Sequence, residues 1–175
     1  PIFVSFHEHN NLKKTAAIIA WLQNGQTIAL VSDAGTPAIA DPGEELVRAA
    51  VANEIPVIAL PGPVAAVTAL SASGYKTSPF VFYGFLPPRG TQKKEVLAKI
   101  LAEDKTVIFY EAPHRLLKTL IALQEDNPQR QAVVGRELTK LHEQYHRGPL
   151  EHLVHYFTET DPRGECTVLL APQTK

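Results

Sequence analysis

TIALVSDAGTPAIADPG, Thr27 to Gly43, joins a short apolar run to a loop of small and turn-forming residues and then to a helix start. Ile28-Ala29-Leu30-Val31 shows no alternation, the pattern of a strand buried on both faces. Upstream, Leu12, Thr15, Ala16, Ile19 and Leu22 recur at helical spacing, with Asn10 or Asn11 placed to cap and Gly25 to stop the helix. Downstream, Leu46, Val47, Ala50 and Val51 mark a helix over Gly43–Asn53, and Pro56–Leu60 reads as a second buried strand ending at Pro61-Gly62-Pro63. Val64–Ser73 follows as a small-residue helix. This order predicts an α/β fold with a parallel sheet and right-handed crossovers. Pro1–Phe6 reads as a strand already under way in a chain without Met, so the sequence is expected to lack an upstream segment.

The pattern breaks in the turn-rich stretch Gly74–Pro79, which sets the expected domain boundary: residues 1–74 as an N-terminal α/β domain and 75–175 as a C-terminal one. In the second domain, strands are expected at Phe80–Phe85, Thr106–Tyr110, Ala132–Arg136, Glu143–Arg147 and Cys166–Leu170. Helices are expected around Val96–Leu101, Leu116–Ile121 and Pro149–Thr158. Hairpin-like pairing near the C-terminus makes this sheet mixed.

The 175 residues are 45% hydrophobic and 20% charged, as in an ordinary globular protein. Lys plus Arg (17) nearly balance Asp plus Glu (18), so bulk charge makes no case for nucleic acid and leaves only a local patch. The single Cys166 cannot form an internal disulfide, which suits a reducing cytoplasm. No apolar run has the length of a membrane helix. His7-Glu8-His9-Asn10 lacks the His-Glu-x-x-His spacing and a further partner, so no metal site is expected.

Ligands of open parallel sheets bind beyond the carboxyl ends of the strands. Ser32–Gly43 and Pro61–Ala66 are both small-residue loops at such ends; together they suggest one pocket, though either alone reads equally as a tight turn. Neither is a Walker A or a Gly-x-Gly-x-x-Gly loop, which argues against a phosphate cradle. Tyr110-Glu111-Ala112-Pro113-His114-Arg115 and Arg136-Glu137-Leu138-Thr139-Lys140 place acids and cations at two further strand ends. Each could be a solvated ion-pair edge, or a rim where Arg and Lys hold phosphates and Glu handles a proton.

The motifs Val31–Gly43, Leu60–Pro63, Tyr83–Pro87, Phe109–Arg115 and Arg136–Lys140, followed by Gly164-Glu165, occur in that order. The set closely resembles the ribosomal RNA small-subunit methyltransferase I family, a branch of the tetrapyrrole methylase superfamily. The resemblance implies two α/β domains with S-adenosylmethionine in a cleft between them, and 2′-O-methylation of a cytidine ribose in the decoding region of 16S rRNA. It implies that Ser32, Asp33, Ala34, Gly35, Pro61, Gly62 and Ala65, with Phe85, Leu86 and Pro87, line the donor site. Glu111 or Glu137 is the expected proton acceptor, and Arg115, Arg136 and Lys140 the expected RNA contacts. A cytoplasmic homodimer acting on the small ribosomal subunit is implied as well. Family members carry an N-terminal strand and Gly-Asn-Leu loop that this sequence does not show. The rivals are a tetrapyrrole-precursor or diphthine-type methyltransferase on the same fold, and a non-catalytic ligand-binding module.

Overall fold

A computed structural model describes residues 3–6 and 11–173, and it divides into two compact units, one ending at Val64 and the other beginning at Ala65. His7–Asn10, with its metal and capping expectations, lies outside the described residues.

The first unit contains α1 (Asn11–Gln23) and α2 (Glu44–Ala52). Gly25, at φ 81°, ends α1, with Gly25 N–H donating to Leu22 O and Gln26 N–H to Trp21 O. Glu44 and Glu45 place negative charge on the first turn of α2. Ile18, Ile19, Leu46 and Ala50 form its core, with Phe6, Leu22, Leu30 and Ile55 packed against them. The segments expected as strands at Thr27–Val31 and Pro56–Leu60 form no strand, and neither do residues 3–6. No sheet forms among the described residues of this unit, which corrects the expected parallel sheet. The reason is visible in the burial: the helices cover only one side, taking Leu30 and Ile55, while Ile58 is 83% and Val31 77% exposed.

The second unit opens with α3 (Ala65–Ser71) and builds a five-stranded sheet in the order β1-β2-β5-β3-β4. The strands are β1 (Phe80–Phe85), β2 (Thr106–Glu111), β3 (Gln131–Arg136), β4 (Gln144–Pro149) and β5 (Cys166–Leu170). The helices are α4 (Gly90–Ala102), α5 (Pro113–Gln124) and α6 (Leu150–Glu159). β1 runs parallel to β2; the β2–β5, β5–β3 and β3–β4 pairs are antiparallel, the mixed sheet the sequence predicts. Alternation sorts the two faces: Val107, Phe109, Val134, Val168 and Leu170 join one core with Leu97, Ile100, Leu116, Leu120, Leu153 and Phe157. α3 packs on β2 and β5, with Ala66, Ala69 and Leu70 buried. That packing moves the unit boundary to Val64/Ala65, ahead of the turn-rich stretch at Gly74.

A buried arginine closes the end of α4. Arg130 donates from Nε to Ala171 O (3.0 Å), from one terminal nitrogen to Ile100 O (3.2 Å) and from the other to Glu103 O (3.3 Å). Ile100 O and Glu103 O lie at the end of α4, where carbonyls run out of intrahelical donors, and Ala171 O lies just beyond β5. Burial lowers the pKa of this guanidinium, with Asp126 and Glu103 opposing the shift.

Candidate functional site

The pairing pattern decides which strand ends meet. Because β5 is antiparallel to both β2 and β3, those two point the same way, and β1 points with them. Their carboxyl ends form one edge, where Glu111 pairs across to Cys166 and Cys166 to Arg136, while Phe85 pairs with Tyr110. Two motifs 25 residues apart in numbering thus become one row.

Glu111 is the centre of that row and has no exposed side-chain surface. Its Oε2 accepts hydrogen bonds from Lys93 Nζ (3.0 Å) and Thr119 Oγ1 (2.7 Å), and its Oε1 accepts one from Ala112 N–H (3.0 Å). Arg115 Nε lies 2.8 Å from Oε1, an ion pair whose N–H is not aligned for a hydrogen bond. Lys93 also donates to Thr119 Oγ1 (2.8 Å), closing the cluster. A carboxylate so enclosed holds two cations in place; it has no open face toward a substrate hydroxyl. Lys93 and Arg115 keep 15% and 20% of their side-chain surface, so their charge remains available at the rim.

Glu137 begins the loop after β3 in a left-handed conformation (φ 50°). Its Oε1 accepts from Glu165 N–H (2.9 Å) and Lys140 Nζ (3.2 Å), and Lys140 reaches Glu165 Oε2 (2.8 Å). The Glu165 N–H, with Lys140 second, holds the Glu137 carboxyl below its ordinary value. Gly164 makes this possible: its φ is 75°, and a Cβ there would overlap the Glu137 carboxyl. Arg136 donates from Nε and a terminal nitrogen to Gln144 Oε1 (3.1 and 3.0 Å) and from the other to Arg163 O (3.0 Å). Lys93 and Thr119 carry no motif, and Lys93 reads as an ordinary surface cation on α4. Only the conjunction of a buried acid with two helices exposes them.

In the first unit, the two small-residue loops are stitched together. Thr36 donates from both its N–H (3.0 Å) and its Oγ1 (3.1 Å) to Pro63 O. Gly62 permits the approach, since a Cβ there would lie 2.7 Å from Thr36 Oγ1. Ser32 Oγ donates to the Ala34 and Gly35 carbonyls (3.1 Å each), so it shapes the loop from within. Asp33, Ala34 and Gly35 are exposed, and Asp33 has no partner among the described residues. An open backbone beside a free carboxylate fits a ligand bearing an amine or a ribose diol. Pro61 and Gly62 flank this surface and are exposed too.

The remaining expected donor contacts sit on the second unit. Phe85 is 56% exposed and packs on the Tyr110 ring (5.2 Å between centroids), whereas Leu86 is 2% exposed, with its side chain in the core. Pro87 is half-buried and Ala65 exposed; the next residue, Ala66, donates its N–H to Tyr110 Oη (3.0 Å). Cys166 is a buried strand residue whose thiol burial pushes up to about 11.

Residues 4–154 match the family model described as Tetrapyrrole (Corrin/Porphyrin) Methylases, and the chain belongs to that family. Within it, the chain is 48% identical over 172 residues to a Synechocystis sp. protein named ribosomal RNA small subunit methyltransferase I, covering 98% of this chain and 62% of that protein. A Bacillus subtilis protein of the same name is 47% identical over 167 residues, covering 95% and 57%. The chain therefore spans about three-fifths of these relatives' length. Among solved structures, a diphthine synthase superposes with a TM-score of 0.71 at 13% identity, covering 96% of this chain and 68% of that one. A uroporphyrin-III C-methyl transferase from Thermus thermophilus, complexed with S-adenyl homocysteine, gives 0.61 at 14% identity, covering 91% and 72%. These two likenesses are of fold.

Proposed function

We propose that this chain is the core of an S-adenosylmethionine-dependent methyltransferase that acts on the 2′-hydroxyl of a cytidine ribose in the 16S rRNA of the small ribosomal subunit. The observation that carries the reading is the row of cations at one sheet edge, with Lys93, Arg136 and Lys140 held by hydrogen-bonded partners and Arg115 by its ion pair with Glu111. Cations fixed in this way suit phosphates, which position RNA by charge. The names of the 48% and 47% identical relatives support small-subunit ribosomal RNA as the substrate. The fold neighbours that act on other substrates are 13% and 14% identical and favour no second reading.

The donor lies on the stitched loops, with Asp33 accepting from its amine or hydroxyls and Ala34, Gly35, Pro61 and Gly62 allowing close approach. When bound, S-adenosylmethionine supplies a methyl group whose bond to a positive sulfur breaks with the electron pair left on sulfur. A ribose hydroxyl ionises far above neutral pH, so orientation and proton removal fall to the protein. Arg115, Arg136 and Lys140 hold flanking phosphates and aim O2′. Glu137, whose side chain keeps 20% of its surface, takes the proton through water, and Glu111 anchors Arg115 and Lys93. The enzyme works as a cytoplasmic homodimer; among the described residues no helix is long and apolar enough to cross a membrane.

The test is transfer of labelled methyl from the donor to 30S particles and naked 16S rRNA, with the product nucleotide mapped by resistance to alkaline cleavage. Label in a cytidine 2′-O-methyl group is expected. Transfer to a porphyrinogen or a protein, with none to RNA, would sink the reading.

A further inference from the structure

A cavity of about 430 Å³ opens between β4, at the edge of the sheet, and the C-terminal end of α6. It lies within the range of roughly 300–1,000 Å³ typical of small-ligand pockets. Three rings line it. His146 stacks on Tyr156 (4.5 Å between centroids, planes 33° apart), and Phe157 meets both edge-on at 5.2 and 5.0 Å. Phe157 is buried, whereas Tyr156 keeps 38% of its surface. Burial, with the Arg136 charge second, holds the His146 ring below the ordinary imidazole value, so the stack is neutral at pH 7.

The rim is polar and balanced, with Glu159 and Asp161 against Arg136 and Arg163. Arg136 is committed to Gln144 and to the Arg163 carbonyl. The Arg163 guanidinium and the Asp161 carboxylate have no partner among the described residues. A flat neutral stack with an open ring, a free Asp161 carboxylate, a Glu159 carboxylate 3.7 Å from His155 Nε2 and a free guanidinium asks for a flat ligand bearing an amino group and an attached anion. Unstacked bases of single-stranded RNA are held by stacking on aromatic side chains, with hydrogen bonds at their edges. Carboxylates accept from the cytosine amino group.

We propose that this cavity receives one unstacked nucleobase of the RNA substrate, stacked on Tyr156 and His146, its amino group toward Asp161 or Glu159 and its phosphate on Arg163. The proposal rests on the RNA reading above and adds a site to it. Arg136 joins the two, since it ends the cationic row and also walls the cavity. The held nucleotide is therefore a neighbour of the methylated one in space, and uridine, without an exocyclic amine, is disfavoured.

The experiment titrates the chain with cytidine 5′-monophosphate and with a short cytidine-rich single-stranded oligoribonucleotide, reading the ring protons of His146 and Tyr156 by NMR and affinity by fluorescence anisotropy. Ring-current shifts of both residues are expected with the oligonucleotide. Tyr156→Ala weakens its binding roughly 5- to 150-fold and Tyr156→Phe does not. Arg163→Ala lowers the salt slope of binding by about 0.7. An oligouridylate binds more weakly. If the RNA binds and is methylated while these rings stay unmoved, the cavity assignment is overturned and the RNA reading stands. If the mononucleotide moves the rings and no RNA is methylated, the cavity stands and the substrate reading fails. Rings unmoved by either ligand overturn the proposal.

Discussion

Replacing Glu111 by Gln separates a structural carboxylate from a chemical one. The side chain is fully enclosed and faces four donors: Lys93 Nζ, Thr119 Oγ1, Ala112 N–H and Arg115 Nε. An amide has one oxygen for two sides of this cage. Turned either way, its NH2 confronts Lys93 and Thr119, or the Ala112 N–H and Arg115. The variant therefore leaves a buried donor–donor clash and removes the negative charge that Lys93 and Arg115 share. Breaking a buried ion pair costs about 3–5 kcal/mol when the remaining charge cannot escape. Here both cations keep some exposure and can turn to solvent, so the lower end applies, about 3 kcal/mol. For a chain of this size that is a fall in Tm of roughly 6–12 °C.

The assay is urea and thermal unfolding followed by circular dichroism, with Lys93→Met and the double variant completing a cycle. If the pair is coupled, Lys93→Met costs less in the Glu111→Gln background than alone. Methyl transfer by folded Glu111→Gln, measured well below its Tm, should persist at reduced affinity for RNA, because Arg115 loses its anchor. A Glu111→Gln protein as stable as the parent but without methyl transfer would refute this reasoning and return Glu111 to the chemistry.

Arg130→Ala strips partners from the carbonyls of Ile100, Glu103 and Ala171, and should cost about 3 kcal/mol in urea unfolding, with Arg130→Lys recovering only part. Gly62→Ala pushes Thr36 Oγ1 off Pro63 O; stability should fall by about 1 kcal/mol while donor affinity by calorimetry falls more, and unchanged affinity would remove these loops from the donor site. The Cys166 thiol, pushed up to about 11, stays protonated at pH 8, so alkylation of the native chain should be far slower than of the urea-unfolded chain. The Glu165 N–H, with Lys140 second, holds the folded Glu137 pKa below its unfolded value, so its contribution to stability is full above the unfolded value and is lost as pH falls through the lower folded one. The difference in urea midpoint between wild type and Glu137→Gln should hold constant above that value and shrink on acidification; a gap that widened would reverse the assignment.

The second unit was largely legible because its strands and helices are complete patterns. Phe109, Val134 and Val168 alternate with their neighbours, and Leu116 and Leu120 keep helical spacing, so the pattern located the five strands to within two residues, while α4, marked from Val96, begins at Gly90. The first unit misled for a physical reason. An apolar run such as Pro56–Leu60 predicts that its faces should be covered, and says nothing about which backbone pairs with it; Ile58 and Leu60 remain 83% and 79% exposed. Strand pairing is a property of two segments, and one segment carries half of the information.

The same distinction explains the two carboxylates. Glu111 and Glu137 look alike in sequence, each within four residues of an Arg at a strand end, and both invite the role of a base. What separates them lies on other elements: Lys93 on α4 and Thr119 on α5 enclose the first, while Gly164 and the Glu165 N–H hold the second. A base near neutral pH needs its charged form destabilised, by burial without partners or by a like charge. Here donors surround Glu111, and the hydrogen bond from Glu165 N–H stabilises the charged form of Glu137. Both acids are therefore placed first to hold cations, which in the proposed reaction leaves this edge to bind anions and the proton to the more open Glu137 acting through water.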